Sequence, residues 1–206
     1  MPNWLQIPLP ELFALLAAIS FAAGLNVYAT VAVLGLLSRY GHLPLPPSLQ
    51  VLQSTLVIAI STALFGLEFF ADKIPAFDLL WSALHTFVRI PVAALLAYRA
   101  TAQLTPGEQL LAALLGAAIA FAAHGGKTAL RAAVTPSPEP FSNISLSVAE
   151  DAAAISLTWL ATRHPYAAGT ITVILVAIIV FLARLIIRAL RSLFSGAQRE
   201  VTAAQN

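Results

Sequence analysis

Apolar residues in this chain come in long runs, and the runs set the elements. A helix needs about 20 apolar residues to cross the hydrocarbon core of a bilayer, and six runs reach or approach that length. The first extends from Glu11 to about Leu37, with an interruption at Gly24-Leu25-Asn26; the second covers about Leu52 to Ala71, and the third Asp78 to Tyr98. The fourth opens at Pro106-Gly107-Glu108 and meets His124-Gly125-Gly126-Lys127. The fifth opens at Ser147-Val148-Ala149-Glu150, the spacing of a capping box. The sixth, Ala167 to about Ala189, is the cleanest. Pro44-Leu45-Pro46-Pro47 separates the first two runs, and Thr135-Pro136-Ser137-Pro138-Glu139-Pro140 is a loop that no helix can cross. Runs one and four each allow two readings, a single long broken helix or a re-entrant pair of half-helices.

The interruptions recur. Shifted by one hundred places, Ile19-Ser20-Phe21-Ala22-Ala23-Gly24 falls on Ile119-Ala120-Phe121-Ala122-Ala123-His124, and Gly24-Leu25-Asn26 falls on His124-Gly125-Gly126. A slightly different offset lays Asp72-Lys73-Ile74-Pro75 over Thr162-Arg163-His164-Pro165. Two tandem three-span units must enter a membrane from opposite faces, the inverted arrangement of many secondary transporters, whose broken helices meet at the midplane. The expected fold is therefore an all-α polytopic membrane protein. It would be one membrane domain over 1–206, with repeats over 11–100 and 107–191, breaks at Gly24–Asn26 and His124–Lys127, and a polar tail over 192–206.

Composition agrees with that picture and narrows it. Of 206 residues 59% are hydrophobic and 10% charged, against about 25% charged in a soluble domain, and the mean hydropathy is +0.86. Such a chain cannot cover a water-facing surface with polar groups. With no cysteine there is neither disulfide nor thiolate site, and a net charge of +2 gives no basis for nucleic-acid binding. The N-terminus lacks Lys and Arg ahead of its apolar run, so the run is read as retained membrane structure with Trp4 at the headgroups.

Lys and Arg in short loops set orientation. Six crossings place Lys73, Lys127, Arg131, Arg184, Arg188, Arg191 and Arg199 on one side and Arg39, Arg99 and Arg163 on the other, which favours both termini in the cytoplasm.

Ionisable groups at bilayer depth cost several kcal/mol unless paired or wet, and so mark interiors and cavities. Glu68 and Asp72 lie four apart on one helical face, followed by Lys73; Asp78, Trp81, His85 and Arg89 form a second stripe; His124, Lys127 and Arg131 form a third; Glu150 and Asp151 open the fifth run. The carboxylates Glu68, Asp72 and Asp78 suit a cation or proton site, the alternative being a solvated loop with Lys73 pairing Asp72. His85 and Arg89 suit either a proton relay or an interhelix hydrogen bond. Lys127 and Arg131 either hold an anion beside backbone freed by the glycines or snorkel to headgroups. Asn26 either offers its amide to a substrate or caps the broken helix. Arg184, Arg188 and Arg191 read as an anchor against anionic lipid. No metal-ligand spacing, phosphate loop or nucleophile–base pair is present, so the residues call for no cofactor and no enzymatic role.

Gly24-Leu25-Asn26-Val27-Tyr28, Glu68 with Ala71-Asp72-Lys73-Ile74-Pro75-Ala76-Phe77-Asp78, and His124 with Lys127, Arg131 and Ser147-Val148-Ala149-Glu150-Asp151 resemble the bacterial membrane family called domain of unknown function 4126. The resemblance runs from about Glu11 to the sixth span. It implies a multi-pass protein of the bacterial cytoplasmic membrane and carries no activity. Where a proline often follows the Asn of the first break in that family, this chain has Val27. Glu68 and Asp72-Lys73 also echo, by analogy alone, cation exporters with paired repeats.

These observations lead to a small secondary transporter or exporter of an ion or small solute. Its partners would be that solute and membrane lipids, and its alanine- and glycine-rich faces permit a homodimer. Glu68, Asp72, Asp78 and Glu150 would couple a proton or cation, with Lys127 and Arg131 balancing charge. The alternatives are a lipid-phosphate flippase and a membrane scaffold whose polar stripes are dry and fully paired.

Overall fold

The computed structural model describes residues 7–41, 43–72, 75–134 and 140–204; for 75–82, 133–134, 140, 142–143, 190 and 192–204 it describes the backbone alone. Among the described residues every regular element is a helix and none is a strand: α1 (Leu9–Leu25), α2 (Val27–Arg39), a 3-10 helix (Pro47–Gln53), α3 (Thr55–Ala71), α4 (Pro75–Ala100), α5 (Pro106–Val134), α6 (Pro140–Arg163) and α7 (Pro165–Ala204).

α1 is the hub. It starts with Pro10 in its first turn, where a missing N–H is harmless, and with Glu11 beside the positive helix end. Its side chains are apolar nearly all round, the pattern of a helix enclosed by others, and α4, α5, α6 and α7 pack around it. Close approach to α5 depends on Gly24: a Cβ there would lie 2.5 Å from the Ala120 carbonyl oxygen and 2.7 Å from the Ala123 Cβ. At the other end of α1, Gly169 lets α7 approach Ala14, where a Cβ would come within 2.8 Å of the Ala14 Cβ.

The first expected break is present and rests on one residue. Asn26 is extended (φ −150°, ψ 103°), and its N–H donates to the Ala22 carbonyl to close α1. Its side-chain oxygen accepts from the Ala29 N–H at 2.9 Å and so caps α2. The Thr30 hydroxyl adds a hydrogen bond to the Asn26 carbonyl at 2.9 Å.

The second expected break is absent. α5 continues through His124-Gly125-Gly126-Lys127 without interruption. The glycines serve packing instead: a Cβ on Gly126 would sit 2.8 Å from Ile179 Cδ1, so the missing side chain brings α7 against α5. Gly125 has nothing within 4 Å of a built Cβ. Gly125→Ala should therefore leave the fold intact and raise stability by up to about 1 kcal/mol through helix propensity. Thermal unfolding in detergent checks this; a marked loss would restore the break.

The Ser147–Glu150 capping box is likewise overturned. α6 begins at Pro140, so Ser147 and Glu150 lie inside the helix, both buried. A reciprocal box does open α5, where Thr105 N–H donates to Glu108 Oε2 at 2.9 Å and Glu108 N–H to Thr105 Oγ1 at 3.4 Å.

Among the described residues three helical segments can cross a membrane by length and composition: Pro106–Ala132, Ile144–Arg163 and Pro165–Ala189. A fourth span exists if the 3-10 helix and α3, bent by 63°, count as one. The six runs do not all become full-length spans, because Asn26 divides the first into apolar helices of 17 and 13 residues, each short of the required length. Surface and interior are inverted relative to a soluble protein. Only 6% of the most apolar window of α7 is buried, with Ile171, Val173, Ile174, Phe181 and Leu182 pointing outward. An apolar surface of this extent suits hydrocarbon and not water.

Candidate functional site

The charged side chains expected inside the bundle converge beside the α1/α2 break. Glu68 lies one turn before the end of α3, and Asp72 follows as its C-cap. Arg89 comes from α4, and His124, Lys127 and Arg131 from one face of α5 at steps of three and four. Glu150 and Asp151 come from α6. Glu68 and Arg89 are 0% exposed and none of the eight exceeds 7%, so the solvated-loop reading fails.

Lys127 is the centre. Its ammonium lies 3.1 Å from Asp72 Oδ2, 3.3 Å from Glu150 Oε2 and 3.9 Å from Glu68 Oε1. It also donates to the Leu25 carbonyl at 3.3 Å. Arg131 Nη2 joins the same two acids, 2.8 Å from Asp72 Oδ2 and 2.6 Å from Glu150 Oε2, with Nε adding a bond to Glu150 Oε2 at 3.1 Å. Asp72 is thus gripped from α5. Lys73, proposed as its partner, lies outside the described residues. Lys127 and Arg131 are enclosed, which removes the alternative in which they snorkel to headgroups. It also removes them from the Lys and Arg that set orientation at the membrane surface.

Arg89 pairs with Glu68 through Nη2 and donates from Nη1 to His124 Nδ1 at 3.0 Å. A guanidinium has no acceptor, so His124 Nδ1 must accept, and the imidazole carries its hydrogen on Nε2. That nitrogen is 2.7 Å from Thr86 Oγ1 and donates to it. His85, on the same helix as Arg89, bonds Tyr28 Oη at 3.0 Å and meets its ring edge-on.

Asn26 joins the network by its other end. Its Nδ2 donates to Asp151 Oδ1 at 2.9 Å while its Oδ1 caps α2, so the capping reading of Asn26 holds and its amide is engaged by Asp151. The break also sorts charge: Lys127 sits at the carbonyl end of α1, and Asp151 at the amide end of α2, each matching the local helix dipole.

Pairing is incomplete. Glu68 Oε2, Arg89 Nε, Asp151 Oδ2 and Ser147 Oγ are buried without a hydrogen-bond partner, an uncommon state for buried polar atoms. Among the described residues no three His, Asp or Glu side chains are placed to hold a metal ion. The physical reason is visible: Lys127 and Arg131 occupy the space between the carboxylates.

Of the expected site residues, Asn26, Glu68, Asp72, Arg89, His124, Lys127, Arg131, Glu150 and Asp151 form this cluster, and His85 borders it through Tyr28. The Asp78 side chain lies outside the described residues, as does Trp81. Trp159 is half-exposed at 48%, and Arg184, Arg188 and Arg191 are exposed. The sequence reading missed the Leu25 carbonyl, Tyr28 and Thr86. Thr86 had a signal, since it precedes Arg89 by three and shares its helical face.

Residues 13–185 match the family described as "Domain of unknown function (DUF4126)". No curated protein and no solved structure matches the chain.

Proposed function

We propose that this chain, which belongs to the domain of unknown function 4126 family, is a small proton-coupled secondary carrier of an ion or small solute. The observation that carries the reading is the charge cluster itself. Four carboxylates and three basic side chains, all buried, meet at a helix break whose backbone and cap both take part. Desolvated charges are expensive to keep, and a protein that only needed to fold would fill the same volume with apolar side chains.

The unpartnered atoms of Glu68, Arg89 and Asp151 argue against a scaffold with closed pairing. Engagement of Lys127 and Arg131 by Asp72 and Glu150 argues against a lipid-phosphate carrier, which needs those cations free for the headgroup. A proton suits the site better than a metal ion, because Lys127 and Arg131 stand where a metal would.

Six crossings as inverted halves remain part of this proposal. The direct packing of Gly24 against Ala120 and Ala123, within the two matched segments, supports it. Placement in a bacterial cytoplasmic membrane with both termini inside, oriented by the exposed Arg184, Arg188 and Arg191, is also part of the proposal.

Purified protein in liposomes, loaded with a panel of ions and small solutes under an imposed pH gradient, should show solute flux that follows the gradient. Glu68→Gln and Asp72→Asn should each lower that flux about tenfold or more, the equivalent of at least about 1.4 kcal/mol on the limiting barrier. Unchanged flux in both variants removes these carboxylates from the mechanism.

A further inference from the structure

We propose that Asp151 is the group that takes up and releases the coupled proton, and that Asn26 passes its protonation state to the joint between α1 and α2. The proposal rests on the carrier reading above and names its proton site.

The argument is one of pairing. Glu68 has Arg89; Asp72 has Lys127 and Arg131; Glu150 has Lys127 and Arg131. Each cation is already engaged by at least one of these three acids. Asp151 has no cation within ion-pair distance: its one partner is the neutral Asn26 amide on Oδ1, and Oδ2 has none, although the residue is 4% exposed. A buried carboxylate held by a single neutral donor is the most costly anion of the four, and a proton removes that cost.

Around Asp151, α3 contributes Glu68 and Asp72 and α5 contributes Lys127, while α6 itself adds Glu150. Lys127 is already shared among three other carboxylates. On α2, Tyr28 is turned to His85. On α7, Arg184, Arg188 and Arg191 are exposed.

The step itself is simple. A hydronium on one side gives its proton to Oδ2, an O–H bond forms, and water on the other side later takes the proton away. The consequence lies on Oδ1. With Asp151 ionised, the Asn26 hydrogen bond is charge-assisted and strong; with Asp151 protonated, it weakens to a neutral one. Asn26 alone connects the end of α1 to the cap of α2, so the change arrives at the one non-helical residue between them.

The chain holds three aspartates, Asp72, Asp78 and Asp151, which makes isotope-edited infrared spectroscopy decisive. Full-length protein in lipid, labelled with carbonyl-13C aspartate, is titrated while the band of protonated carboxyl groups is followed. The expected result is a titrating band that shifts with aspartate labelling, disappears in Asp151→Asn and persists in Asp78→Asn. In liposomes Asp151→Asn should abolish the response of solute flux to the pH gradient. Absence of any protonated-carboxyl band, a band that follows glutamate labelling, or one that survives in Asp151→Asn overturns the assignment. Should Asp151→Asn fail to fold, loss of the band in Asp78→Asn or in Asp72→Asn overturns it, and persistence in both upholds it. If the wild-type protein shows no flux, the carrier reading falls, while the infrared band still decides where the proton resides.

Discussion

Arg89→Met should destabilise the protein by about 3–5 kcal/mol, the cost of leaving one member of a buried ion pair alone. The guanidinium neutralises Glu68 and also holds His124 through Nδ1. Its removal leaves the Glu68 carboxylate with Lys127 at 3.9 Å as its nearest cation and frees the imidazole to rotate. The companion substitution makes the test specific. Glu68→Met in the Arg89→Met background removes the stranded charge, and the double variant should regain most of the lost stability, as apolar replacements of buried pairs often do. Denaturant titration in detergent, arranged as a double-mutant cycle, reads the coupling directly. A double variant no better than Arg89→Met would mean that the arginine acts through packing alone.

Gly24→Val should have an effect of similar size by a different route. Its first added carbon would lie 2.5 Å from the Ala120 carbonyl oxygen, a backbone atom that cannot turn aside. α1 must move away from α5, and overpacking of this kind costs about 1–3 kcal/mol or more. Function should suffer more than stability, because the same displacement draws the Leu25 carbonyl away from Lys127. Ala123→Gly removes one collision and leaves the Ala120 carbonyl oxygen and Cα in place, so it should rescue little. Gly66→Ala, at an open position, is the matched control. Liposome flux and unfolding midpoints together check the prediction; a Gly24→Val protein equal to wild type in both would show that the seam between α1 and α5 is not tight.

How much of this was legible in the chain depends on whether the signal was local. Asn26 could be read because one polar residue after a glycine inside an apolar run has few explanations, and its cap needs only the three residues that follow. The α5 stripe could be read because steps of three and four place His124, Lys127 and Arg131 on one face whatever surrounds them. The pairs themselves could not. Glu68 meets Arg89 across 21 positions and Asn26 meets Asp151 across 125, and no local spacing encodes such distances.

Two misreadings came from motifs with two physical causes. Gly125-Gly126 has the composition of a break, yet a missing Cβ at Gly126 equally serves the close approach of α7. Ser147 and Glu150 have capping-box spacing, yet the helix starts earlier, and Glu150 answers Arg131 from another helix. The topological reading of Lys127 and Arg131 failed for a related reason: counting basic residues assumes that they face headgroups, and burial against carboxylates cancels that assumption.

α7 has a mechanical consequence. Its 40 residues make a rod of about 60 Å at 1.5 Å per residue, about twice the roughly 30 Å hydrocarbon thickness of a bilayer. The rod is continuous from Pro165 to Ala204, and its start is seated on Ala14 through Gly169. Torque applied to the far end therefore travels along a single stiff shaft to the foot of α1. A rigid tag fused in register there would report, by its tilt, any rocking of the central helix during turnover.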